Sequence, residues 1–240
     1  MYYEEHGQGE AVLLLPGWGG SIAEFGQLRR ELGTGFRVIA ADLPGCGRSE
    51  PRSYSADFYT QDARAFLALL DQLGVGAAHL VGFSDGGETA LLMAALAPGR
   101  ALSVAAWGVA GQIVEPAEGF GPLERLLDEP SEQLLPLAAY LAEAYGPDRA
   151  RAMAAGWAGA LREIVAAGGD ISLSRAGAIT CPVLLVAGSD DPYCPVAAVQ
   201  ELAAAIPRSR FLELESVGHD VHLAAAGVLT TVVLDWVGEH

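Results

Sequence analysis

Lysine is missing altogether: each of the 14 basic side chains in this 240-residue chain is an arginine. A guanidinium does not give up its proton, so Schiff-base chemistry and a lysine general base are excluded by inventory. Cysteine is scarce and odd in number. Cys46, Cys181 and Cys194 have neither the close spacing of a zinc knuckle nor that of a redox pair, and they read as reduced and mostly structural. Cys46 stands between Gly45 and Gly47, where a thiol could be exposed, but no neighbouring histidine is evident to activate it. A catalytic cysteine is therefore not expected.

Long apolar runs are absent as well. Segments such as Ala11–Leu15 and Val183–Val186 fall far short of the roughly 18 residues a membrane helix needs, so no membrane span is expected. The start, Met1-Tyr2-Tyr3-Glu4-Glu5, has neither the basic residues nor the apolar stretch of an export signal, which makes the cytoplasm the expected location. Positive charge is in short supply: 30 acidic residues give a net charge of −16, and no basic cluster with interleaved aromatics offsets it. That balance disfavours nucleic acid and anionic lipid as partners. Such a field can concentrate cationic substrates, although on charge alone a solvated acidic surface that keeps the protein soluble is the preferred reading.

What the chain does have is a rhythm. Apolar, β-rich segments recur at Ala11–Leu15, Arg37–Ala41, His79–Phe83, Leu102–Trp107, Val183–Ala187 and Phe211–Leu214, most of them separated by helical stretches such as Asp57–Leu73 and Thr89–Leu96. Alternation of this kind predicts an α/β fold with a mostly parallel central sheet flanked by helices, binding its ligand at the C-terminal edge of the strands. The length suits one domain with a modest insertion. Residues 113–178 break the rhythm, being rich in Ala, Leu and Glu and punctuated by Pro, and they read as an inserted helical cap on a core of 1–112 and 179–240. Within the cap, Tyr140, Tyr145 and Trp157 fall on helices where packing alone explains them.

Gly82-Phe83-Ser84-Asp85-Gly86 follows one predicted strand and precedes a helix, the context of a nucleophile elbow; a plain glycine-rich turn is the simpler alternative. A nucleophile on so tight a turn needs small neighbours, which lets Ser84 Oγ project above the sheet. Serine is a weak nucleophile until a base takes its proton. Of the histidines, His6 and His240 lie near the termini and His79 begins a strand, whereas His219 follows Gly218 in a loop after the last strand. His222 is the nearest rival, but His219-Asp220-Val221-His222 lacks the spacing of a helical metal pair, and no metal site is expected. Gly188-Ser189-Asp190-Asp191-Pro192 offers a carboxylate to orient the imidazole, with Asp191 preferred and Asp190 read as a turn cap. The backbone amides of Trp18, in Pro16-Gly17-Trp18-Gly19-Gly20, and of Asp85 are candidate oxyanion donors.

Taken together, these residues make the chain resemble the α/β-hydrolase superfamily over nearly its whole length. Within it, the chain most resembles the valacyclovir hydrolase, or biphenyl-hydrolase-like, family of serine esterases acting on α-amino acid esters. The stretches that carry the resemblance are Leu13-Leu14-Leu15-Pro16-Gly17, Ser84-Asp85-Gly86-Gly87 with Thr89-Ala90-Leu91, Trp107-Gly108, Cys181-Pro182 with Asp191-Pro192, and His222-Leu223. The resemblance implies a triad of Ser84, Asp191 and His219, an ester substrate of low molecular weight, no cofactor, and an aspartate at position 85 that holds the substrate's α-ammonium group. On physical grounds alone, Asp85 can equally complement the positive end of the helix that follows it. Trp107 and Trp157 match tryptophans of that family and are expected to wall the pocket, with packing as the alternative. The chain departs from the family most in the cap and at Trp18, where a relative carries a smaller apolar residue, so the resemblance does not fix the size of the acyl pocket. A carbon-carbon bond hydrolase, a general carboxylesterase and a receptor that keeps the triad are the competing expectations.

Overall fold

The apolar segments alternate along the chain with stretches able to cover them, and each becomes a strand, buried on both faces in the middle of the sheet and partly exposed at the edge strand Ser209–Leu214. The computed structural model describes all residues, Met1–His240. The first half of the chain runs β1 (Tyr3–His6), β2 (Ala11–Leu15), α1 (Gly26–Leu32), β3 (Arg37–Ala41), α2 (Phe58–Gln72), β4 (Ala78–Phe83), α3 (Asp85–Leu96) and β5 (Ala101–Trp107). Then come α4 (Gly121–Glu124), α5 (Leu135–Tyr145), α6 (Pro147–Ala166), β6 (Val183–Gly188), α7 (Val196–Ala205), β7 (Ser209–Leu214), α8 (Val221–Ala224) and α9 (Ala226–Glu239).

All seven strands form one sheet in the order β1-β3-β2-β4-β5-β6-β7. Only β1 runs antiparallel, against β3; every other neighbouring pair is parallel. Because side chains alternate between faces along a strand, the sheet separates two apolar layers. Leu80, Val104 and Ala106 face a layer with Phe66 of α2, Leu91 of α3 and Leu202 of α7. Val81, Ala105 and Trp107 face the other, with Leu28 of α1 and Leu229, Val233 and Trp236 of α9.

Sequence reasoning missed β1. Its residues alternate between exposed and half-buried, and Glu4 and Glu5 carry charge where a strand is expected to be apolar. Arg29 and Arg48 hold Glu4, each at 2.7 Å, and Arg37 holds Glu5 at 3.0 Å. Such partly exposed pairs contribute only about 0–1 kcal/mol each, so backbone pairing to β3 is the main support for this edge.

The chain leaves the sheet after β5 and returns at β6, and the stretch between holds α4, α5 and α6 with no strand. A single bridge, Gln112 to Asp170, ties the outgoing chain to the returning one. Leu126, Ala138, Leu141, Ala150 and Ala154 make a small core of their own, while Met153, Ala158, Leu161 and Ile164 of α6 merge with the layer on the sheet. One helix, α6, therefore belongs to both.

Candidate active site

At the C-terminal end of β4 the chain turns through Ser84 and enters α3 without a loop. Ser84 adopts φ 51°, ψ −121°, one of only two non-glycine residues with positive φ. A left-handed backbone at serine is costly and persists where the surroundings enforce it. Here they do. A β-carbon on Gly82 would lie 2.5 Å from the carbonyl oxygen of Gly86, and one on Gly86 would lie 2.5 Å from the carbonyl oxygen of Leu15. The turn closes because the positions two residues before and two residues after Ser84 lack side chains.

His219 arrives from the loop after β7. Its Nε2 lies 3.1 Å from Ser84 Oγ, and its Nδ1 lies 2.8 Å from Asp191 Oδ2. Asp191 sits after the neighbouring strand β6, and its Oδ1 accepts from the amides of Tyr193 at 2.8 Å and Cys194 at 3.0 Å. Burial would raise this carboxyl, but the hydrogen bond and charge of His219, together with those two amides, outweigh burial and hold it below the ordinary aspartate value. An ionised carboxylate only accepts, so the Asp191 contact puts the imidazole proton on Nδ1 and leaves the Nε2 lone pair facing the serine hydroxyl. Gly108, after β5 with φ 64°, fits the imidazole closely: a β-carbon there would lie 2.8 Å from His219 Cε1.

The loop after β2 lies against the same serine. A β-carbon on Gly17 would stand 3.3 Å from Ser84 Cβ. The amides of Trp18 and of Asp85, the first residue of α3, donate to no acceptor in the protein. Two contacts at Gly19 hold the loop: its N–H donates to Cys46 Sγ at 3.3 Å, and its carbonyl accepts at 2.8 Å from Tyr145 at the end of α5, whose hydroxyl also accepts from Gly47 N–H at 2.7 Å.

Asp85 is only 5% exposed, and its two oxygens accept from neutral donors, Tyr59 Oη at 2.7 Å and Trp157 Nε1 at 2.9 Å. No arginine or histidine pairs with it. Burial pushes its carboxyl up to about 6, against the lowering effect of those two hydrogen bonds. Above it, Trp157 of α6 stacks on Trp18, ring centroids 4.3 Å apart and planes 10° from parallel, and Trp18 Nε1 donates to Tyr54 Oη at 3.0 Å.

Two expectations need correction. Trp107 does not reach this site: it is fully buried on the α1/α9 side of the sheet, and its indole donates to His222 Nδ1 at 3.3 Å. Strand alternation turns it away from the layer that carries Trp157. Cys46 is not exposed; it is 1% accessible, and burial pushes its thiol up to about 12. His222, the rival base, packs on Phe83 at 4.4 Å, with burial lowering it to about 4.

Cys194, Tyr59 and Tyr145 carry no motif and were not singled out for this site. Asp191, Cys194 and His219 each offer one ligand atom, all within 4.8 Å of one another. Asp191 Oδ2 and His219 Nδ1 already bond each other at 2.8 Å, and a metal taking either atom would break the contact that orients the imidazole. The donor set suits a hydrogen-bonded relay better than a cation.

The profile of the alpha/beta hydrolase family matches residues 12–231. Serine hydrolase BPHL of Homo sapiens is 30% identical over 247 residues, spanning 99% of this chain and 82% of the human protein. The 2-hydroxy-6-oxo-6-phenylhexa-2,4-dienoate hydrolase of Burkholderia cepacia is 28% identical over 262 residues, covering 99% of this chain and 91% of that protein. Among solved structures, the enol-lactonase from Burkholderia xenovorans LB400 superposes with a TM-score of 0.81 at 24% identity, over 98% of this chain and 95% of its own. With the family profile covering residues 12–231 and the human relative aligned almost throughout, the chain belongs to the alpha/beta hydrolase family.

Proposed function

We propose that the protein is a serine hydrolase that cleaves carboxylic esters through an acyl-enzyme, with α-amino acid esters as its substrates. The observation that carries this reading is His219 bridging Ser84 and Asp191 at 3.1 and 2.8 Å. His219 takes the hydroxyl proton as Ser84 Oγ attacks the ester carbonyl, and Asp191 stabilises the imidazolium that forms. The amides of Trp18 and Asp85 receive the charge that develops on the carbonyl oxygen. Collapse of the tetrahedral intermediate breaks the ester bond, and His219 returns the proton to the departing alcohol. Water activated by the same imidazole then hydrolyses the acyl-enzyme. No step calls on a metal or cofactor.

The preference for an α-amino group rests on Asp85. A buried carboxylate one residue past the nucleophile, with no cationic partner, is costly unless a ligand supplies the charge. A cation on the α-carbon of the acyl group would lie beside the reacting carbonyl, close to that carboxylate. Residues 113–178 serve as the cap over this site, with Trp18 and Trp157 lining it, and the cytoplasm is the proposed location.

Ser84→Ala is expected to lower kcat by about 10³- to 10⁶-fold, the range for loss of a serine nucleophile. Asp85→Asn is expected to reduce kcat/KM for a valine p-nitrophenyl ester far more than for its N-acetylated counterpart. Equal losses on the two esters remove the ammonium role. A relative named as a dienoate hydrolase supports a second reading, cleavage of carbon-carbon bonds; turnover of a vinylogous diketone with none of an amino ester would favour it.

A further inference from the structure

We propose that Trp157 limits the specificity of this site by competition: its indole N–H occupies the Asp85 oxygen that the substrate's ammonium group takes, so that a cationic acyl group must displace the indole while a neutral one leaves it in place. The inference rests on the reading of Asp85 as the ammonium acceptor.

The two donors on Asp85 are not equivalent. Tyr59 is 5% exposed on α2, stacked on Phe58 with centroids 4.0 Å apart and locked in the main core. Trp157 is half-buried, comes from the cap, and donates across to Asp85 Oδ2 at 2.9 Å. Tyr59 stays; Trp157 is the donor that can leave. Gly156 and Gly159 lie beside it in α6, where a glycine restrains the helix less than a residue with a side chain would. At Gly159 there is open space where a β-carbon would be.

Trp157 covers Asp85 while its ring lies flat on Trp18, which belongs to the loop beside Ser84. An ammonium group that takes Asp85 Oδ2 must displace the indole, whereas a neutral α-substituent leaves the indole hydrogen bond in place. A neutral substituent gains nothing from the exchange, since it replaces one neutral donor by a poorer partner. An ammonium gains, because a charge-assisted hydrogen bond to a buried carboxylate is about twice as strong as a neutral one. The exchange moves no proton and breaks no covalent bond.

Trp157→Phe keeps a ring to stack on Trp18 but leaves Oδ2 without its cap donor. The ratio of kcat/KM for a valine p-nitrophenyl ester to that for its N-acetylated counterpart is expected to rise roughly 2- to 10-fold, the worth of one neutral hydrogen bond, chiefly through a lower KM for the amino ester. A ratio that falls or stays the same overturns the proposal, since it would make Trp157 an orienting or packing residue. A second measurement avoids any folding defect of that variant. In the Ser84→Ala protein, which binds without turnover, the valine ester is expected to change tryptophan emission saturably as the stack opens, and the N-acetyl ester is not; equal responses overturn the proposal. If the wild-type enzyme does not distinguish the two esters at all, the ammonium reading fails first. If it does and Trp157→Phe narrows the gap, only the competition fails.

Discussion

Asp85 shows how a buried carboxylate opposes stability. Its carboxyl is raised from 3.8 to about 6, chiefly by burial. A raised carboxyl binds its proton more tightly in the folded state than in the unfolded one, so this group's contribution to stability is fully present below 3.8 and is lost as pH climbs to about 6. At about 1.4 kcal/mol per unit the loss approaches 3 kcal/mol at most. Asparagine removes the charge and keeps the contacts: its oxygen accepts from Trp157, and its amide donates to the Tyr59 hydroxyl, which also accepts. Asp85→Asn is therefore expected to raise the melting temperature near neutral pH, by several degrees for a chain of this size, and to leave it unchanged near pH 3.8. Thermal melts across that range test it, and a variant less stable at neutral pH would show that the carboxylate is satisfied where it sits. At this scale Ser84, Asp191 and His219 were legible because backbone geometry marks them: glycines around the serine and loops at strand ends for the other two. Trp107 was not, since β5 is apolar on both faces and nothing in the sequence says which face a buried tryptophan takes.

The elements divide in the same way. Strands β2 and β3 fall on Ala11–Leu15 and Arg37–Ala41, as their apolar runs predict, whereas β1 depends on a partner strand and three arginines far along the chain. Contacts between the helical insertion and the core were the least legible, because Tyr145 reads as one more apolar position of α5. Yet its hydroxyl joins Gly19 O, at 2.8 Å, to Gly47 N–H, at 2.7 Å, and so connects α5 to the loop that carries Trp18. If that loop supplies an oxyanion donor, losing the hydroxyl displaces the Trp18 amide without removing it. Tyr145→Phe is expected to lower kcat by about 10-fold, short of the roughly 10²- to 10³-fold loss of a whole donor, with KM nearly unchanged. Affinity for a boronic acid or trifluoromethyl ketone inhibitor, which builds the oxyanion, should fall by the same factor. A lower melting temperature with both quantities unchanged would reduce Tyr145 to packing.

Over the whole molecule the dominant physical fact is charge. The formal net charge is −16, and Asp85→Asn alters it only to −15 (−16 + 1), so the long-range field and the local carboxylate can be separated by experiment. The field acts on approach: it concentrates a cationic ester around the protein and is screened by salt. The carboxylate acts on arrival, at hydrogen-bond distance and out of water, where screening is weak. Raising the ionic strength from about 0.01 M to about 0.15 M shortens the Debye length from about 30 Å to about 8 Å. Over that interval kcat/KM for the valine ester is expected to fall several-fold, while the value for its neutral N-acetyl counterpart stays level. The two effects should also factor: Asp85→Asn is expected to lower the valine-ester value at every salt concentration yet keep the same fractional decline. Were the decline to vanish in that variant, attraction would reside in the single carboxylate, and the remaining acidic residues would serve only solvation.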